Sequence, residues 1–140
     1  MVENPTAALS PDGLITLPSP YAPKETLDRL AAAIESHGMT VMARIDHAGA
    51  AAKAGLDLRP TEVLIFGNPR AGTLVMQASQ LIGIDLPLRV LAWQDAAQRN
   101  WLSYVDPAWL ANRYGITEVT QRVVSQMTSV LKAVAAEVTA

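Results

Sequence analysis

The chain has 140 residues, half of them hydrophobic, with 11 basic and 13 acidic side chains and a formal charge of −2. That suits one domain with its own core, and the absence of cysteine excludes a disulfide, a thiolate nucleophile and a zinc–thiolate centre. The charges are scattered, so no nucleic-acid footprint and no membrane-binding segment are expected.

No apolar run nears the roughly 20 residues of a membrane-spanning helix. The start, Met1-Val2-Glu3-Asn4-Pro5, lacks the basic and apolar regions of a signal peptide, so a cytoplasmic location is expected. Residues 1–12, with two prolines and an Asp-Gly turn, read as a loose lead-in. Gly13 to Leu17 suits a short first strand, ended by Pro18-Ser19-Pro20. A helix follows from Pro23, with Leu27, Leu30, Ala31 and Ile34 on one stripe and Gly38 just past its end. His37 lies at its negative end as a solvated cap. Met39 to Asp46 alternates, with Val41, Ala43 and Ile45 on one face and Thr40, Met42 and Arg44 on the other, as a half-buried strand does.

Ala48 to Ala54 is a short alanine-rich helix stopped by Gly55. Val63-Leu64-Ile65-Phe66, within Thr61 to Phe66, reads as a central strand buried on both faces. After Gly67-Asn68-Pro69, the spacing of Leu74, Val75, Ala78, Leu81 and Ile82 predicts a helix, capped either by Asn68 or by Thr73. Leu88 to Trp93 and Trp101 to Val105 form an antiparallel hairpin. Asp106-Pro107 launches a short helix ending at Gly115. From Thr117, Val119, Val123, Val124, Met127, Val130, Leu131 and Val134 mark a long terminal helix that covers a sheet face or a partner subunit.

Several motifs in order carry a resemblance. They are Ile45-Asp46-His47-Ala48, Gly55-Leu56, Leu58-Arg59-Pro60, Phe66-Gly67-Asn68-Pro69, Leu74-Val75-Met76, Asp85-Leu86-Pro87, and Tyr104 with Asp106-Pro107. With them, about residues 14–115 resemble the domain-of-unknown-function family 302. The resemblance implies an α/β (α+β) domain: an open mixed sheet of about five strands with helices packed on it. It also implies a homodimer, and it implies no reaction. Some relatives carry cysteine beside the Asn-Pro and after the Leu-Pro, where this chain has Gly67 and Leu88, so thiol chemistry there is closed to it. The expected organisation is a single α/β domain over 13–140, with the long C-terminal helix at about 117–138.

Two loops are candidate sites. Asp46-His47 at a strand end can act as an acid–base pair, with His47 as the catalytic group or a metal ligand and Asp46 its orienter. Equally, Asp46 can cap the next helix, with His47 in its first turn. Gly67-Asn68-Pro69-Arg70-Ala71-Gly72-Thr73, between a strand and a helix, suits an anion at free N–H groups, with Arg70 as charged fork and Asn68, Thr73 and His47 beside it. It is neither a Walker loop nor a GxGxxG, and as a plain structural turn it needs no ligand. The two loops meet only if strands 39–46 and 61–66 run parallel, joined by a right-handed crossover. No HExxH, paired-histidine spacing or GxSxG occurs, so no metal is predicted, and the cofactor is unknown. His47 with Met76 as haem ligands has no CxxCH beside it. The expectation is a small homodimeric binding module for a small, anionic ligand. The alternatives are an enzyme using His47 as acid–base and a structural dimer without a small-molecule site.

Overall fold

The structure, a computed structural model, describes residues 12–116 and 120–140; almost all of the expected lead-in 1–12, and the expected helix start at 117–119, lie outside them. Five strands form one open sheet in the order β1-β5-β4-β3-β2. They are β1 (Leu14–Ser19), β2 (Thr40–Asp46), β3 (Thr61–Gly67), β4 (Leu88–Gln94) and β5 (Asn100–Val105). The helices are α1 (Pro23–Ser36), α2 (His47–Lys53), α3 (Pro69–Ala78), α4 (Pro107–Arg113) and α5 (Gln121–Thr139), with a 3₁₀ segment at Gln80–Asp85. The α/β class, the strand number and the long terminal helix are as expected.

The expected mixed character of the sheet is corrected. All four pairings are antiparallel, including β2 with β3, where Thr40 faces Gly67 and Asp46 faces Glu62. The short α2 turns the chain back beside its own strand instead of carrying it over the sheet as a crossover would.

Alternation then decides what is buried. Leu64, Phe66, Val90, Ala92 and Leu102 are fully buried and share one face, against which α1 packs, with α5 lying against α1 and β1. Leu27, Leu30 and Ile34 of α1 and Leu131, Val134 and Val138 of α5 complete that core. Val63 and Ile65 point to the other face and are only half-buried, so β3 is not a strand buried on both faces. Arg44 on β2 ties this edge to α1, bonding Glu62 on β3, Asp28 at 2.7 Å and the Lys24 carbonyl at 2.9 Å.

The register slips between Val41 and Ala43, a β-bulge that breaks the even alternation expected of 39–46. Val41 turns to the core side and Met42 is pushed out, 46 % exposed. α3 is also shorter than its apolar spacing suggested. It stops at Ala78, and in the 3₁₀ segment that follows Ile82 is buried while Leu81 and Ile84 are each 77 % exposed. A three-residue turn puts positions three apart on one side, which aligns Leu81 with Ile84 and sends both outward.

Candidate functional site

Antiparallel pairing fixes where the two candidate loops go. Asp46 and His47 follow the end of β2, whereas Asn68 follows the end of β3, which lies beside the start of β2. Seven residues of strand separate them by roughly 20 Å at about 3.3 Å per residue. The composite site that needed parallel strands is therefore excluded, and His47 stands apart from Asn68, Arg70 and Thr73.

At the His47 end, Asp46 Oδ1 accepts a hydrogen bond from the Gly49 amide at 2.9 Å and caps α2. A Cβ at residue 49 would sit 2.6 Å from Asp46 Oδ2, so glycine is what lets this cap close. His47 is exposed in the first turn, and among the described residues it has no hydrogen-bond partner. Asp46 does not orient it.

At the other end, Asn68 caps α3 and Pro69 takes the first helical position. Its Oδ1 accepts from the Arg70 amide at 3.0 Å and the Ala71 amide at 3.3 Å, and its carbonyl accepts from the Gly72 amide at 2.9 Å. Proline has no N–H, so the helix start has already spent the donors an anion would use. Thr73 donates to the Pro69 carbonyl at 2.6 Å, and Arg70 is exposed and does not line the space described next.

That space is a cavity of about 250 Å³ at the sheet end where β2 starts, β3 stops and β4 starts. Asn68, Gly72 and Thr73 form its α3 side, and Gly67, Leu86 and Pro87 its strand side. Met39, Met42, Met76 and Met127 converge on it from the loop after α1, the β2 bulge, α3 and α5. The chain has five methionines; the fifth, Met1, lies outside the described residues. Among the described residues, none that line it is charged. The glycines leave room: a Cβ at Gly67 would meet Met42 Cε at 4.0 Å, and one at Gly72 would meet Met76 Cε at 3.9 Å. Such a wall suits a neutral, largely apolar guest, because flexible thioethers reshape around it and no charge is there to hold an ion.

Asn68 and Thr73 are thus the predicted site residues that reach this cavity, and His47, Asp46 and Arg70 do not. The sequence gives no site signal at Met39, Met42 or Met127, and at Met76 only that of a haem ligand paired with His47, which lies at the far sheet end. Nothing in their spacing groups them, since a bulge and the packing of α5 bring them together.

A smaller polar cluster ties the 3₁₀ segment to α4. Asp85 accepts from the Tyr114 phenol and from Arg113 at 3.2 Å. The Asp85 carboxylate, helped by burial, pushes the Tyr114 phenol above its ordinary value. Among the described residues, no group of three or more His, Cys, Asp or Glu is placed to hold a metal.

An open antiparallel sheet with helices packed on it defines the α/β class of this chain. The chain belongs to the family described as "Domain of unknown function DUF302", whose model matches residues 15–134, extending the likeness through most of α5. The fold is also that of the "uncharacterized conserved protein DUF302 from Bacillus stearothermophilus", with a TM-score of 0.80, 18 % identity, and coverage of 93 % of this chain and 100 % of that one. Among curated proteins, the chain is 48 % identical over 112 residues to "Fluoride-specific ion channel FluC 1" of Brucella suis biovar 1 (strain 1330), covering 80 % of this chain and 44 % of that protein. The protein of the same name from Brucella abortus biovar 1 (strain 9-941) matches at 48 % over 42 % of its length. The chain thus spans less than half the length of the curated relatives it matches.

Proposed function

We propose that this protein is a small binding module whose site is the methionine-lined cavity beside Asn68 and Thr73, and that its ligand is small and mostly apolar. The observation that carries this is the cavity itself: about 250 Å³ of space walled by uncharged side chains among the described residues. An anionic ligand loses its support, because Asn68 occupies the helix-start amides and Arg70 does not line the cavity. Among the described residues, the acid–base alternative at His47 has neither a hydrogen-bond partner nor an orienting carboxylate.

Ligand-observed NMR of the full chain against neutral one-ring and two-ring compounds tests the reading. Saturable binding by members that compete with one another, abolished in Gly72→Leu, supports it. A set in which nothing binds discards it.

The homodimer has a separate observation in its favour. The sheet face away from α1 and α5 carries Ala43, Ile45, Val63, Ile65 and Leu91, all half-buried or exposed, and pairing two copies across it would cover them. Sedimentation equilibrium at micromolar concentration distinguishes dimer from monomer, and Ile65→Lys should shift a dimer toward monomer.

For the longer relatives, ion conduction requires membrane-spanning elements, and no helix among the described residues is long and apolar enough to cross a membrane. We read the matched part as a domain that accompanies the conducting part on its cytoplasmic side. Fluoride flux through a relative lacking the matched segment would test that reading; flux abolished by the deletion, in a protein that still inserts, would count against a merely accompanying role.

A further inference from the structure

We infer that the ligand of this cavity is a small neutral aromatic molecule, of one ring or two fused rings, that carries a hydrogen-bond acceptor. The inference rests on the cavity being the binding site and adds the class of ligand.

Size sets the first bound. A dry cavity of about 150 Å³ is enough to hold benzene, and drug-sized ligands occupy roughly 300 Å³ or more. The cavity here, at about 250 Å³, lies between them and suits a substituted or fused ring.

The walls set the second. Met39, Met42, Met76 and Met127 approach from four separate segments, so a flat guest is met by thioethers on several sides. Sulfur makes favourable contacts with aromatic rings, particularly at their edges. Four neutral thioethers are also the donor set of a soft monovalent cation such as Cu⁺ or Ag⁺. Metal–sulfur bonds are only about 2.3 Å long, however, and thioethers spread around a space of this volume surround far more than one ion. The volume decides for an organic guest.

Polarity sets the third. Asn68 Oδ1 is occupied by the Arg70 and Ala71 amides, while among the described residues its Nδ2 donates to no protein acceptor. Thr73 has spent its hydroxyl proton on Pro69. Asn68, an exposed residue of the cavity's lining, therefore keeps Nδ2 as a donor with no protein partner, and among the described residues no cationic side chain lines the space. A carbonyl, ether or ring nitrogen satisfies that donor, whereas a carboxylate would be left without a counter-charge.

Calorimetric titration of the full chain with acetophenone, ethylbenzene, cyclohexyl methyl ketone and silver nitrate tests this. The affinity ratio of acetophenone to cyclohexyl methyl ketone is expected to fall about two- to tenfold in Met76→Leu, which keeps the volume and removes the sulfur. The ratio of acetophenone to ethylbenzene is expected to fall about two- to tenfold in Asn68→Asp, which keeps the helix cap and removes the donor. Melting curves of both variants establish that they are folded. Ratios unchanged by the substitutions overturn the inference while leaving the cavity as the site. Silver binding that Met76→Leu weakens, with no organic probe bound, overturns it in favour of a soft cation. If neither silver nor any probe binds, the cavity reading falls as well.

Discussion

Gly72→Leu separates loss of the site from loss of the fold. Gly72 is the fourth residue of α3, and the nearest atom a Cβ there would meet, beyond its chain neighbours and the helix backbone, is Met76 Cε one turn on at 3.9 Å, an ordinary contact distance. A glycine inside a helix is less favourable than alanine by about 1 kcal/mol, and leucine ranks near alanine. Leucine also adds four carbons to the cavity. At about 0.8 kcal/mol per buried carbon, and with roughly half of them losing water in a space open at Met42, burial adds about 1.5 kcal/mol. Ordering the side chain takes back about 0.5–1 kcal/mol. The variant should therefore be more stable by about 1–2 kcal/mol, a rise in Tm of roughly 3–6 °C for a chain of this size. Binding of neutral aromatic probes should be lost with no loss of fold. Calorimetric melting and ligand-observed NMR on the same samples read both outcomes. A Tm that falls by an amount matching the 1–3 kcal/mol typical of overpacking would mean the space is not there. A stabilised variant that still binds would put the ligand elsewhere.

Asn68→Ala removes the cap of α3 and should lower stability by about 1 kcal/mol, whereas Asn68→Asp should not, as urea denaturation of both will reveal. His47→Ala and Arg70→Ala should each change stability by less than about 0.5 kcal/mol and leave probe affinity intact; lost binding in either would reinstate the loop sites. The Trp101 indole, which donates to Asp95 at 2.9 Å, and Arg44, which bonds Asp28, hold those two carboxyls below the ordinary value of 3.8. A carboxyl lowered in the folded state stabilises the fold fully above its unfolded value, and that contribution is lost as pH falls below it through the folded value. Asp95→Asn should accordingly flatten the acid limb of a Tm profile between pH 7 and 2. The Tyr104 phenol is raised by burial and by nearby Asp106, so its contribution holds below the ordinary value of 10.0 and fades above it. Tyrosinate absorbance should lag behind that of a free phenol, and an unshifted titration would contradict its burial.

Local chemistry was legible in the chain. Asp106 with Pro107 starts a helix as written, and of the two caps the sequence allowed for α3 the structure uses Asn68 with Pro69, because a cap acts within one turn and needs nothing distant. The hairpin of β4 and β5 and the amphipathic stripes of α1 and α5 were readable for the same reason: periodicity records which side of an element is buried. Strand direction was not. The segment between β2 and β3 was just long enough for a crossover, and local sequence does not distinguish that from a return beside the same strand. The cavity was hidden for a related reason. Its methionines lie at positions 39, 42, 76 and 127, and the bulge that presents Met42 exists only because β2 and β3 pair with one residue in excess. Sequence determined the order and type of the elements and the family; tertiary structure alone decided where α3 ends, that His47 and Asn68 lie at opposite ends of the sheet and that four thioethers share one space.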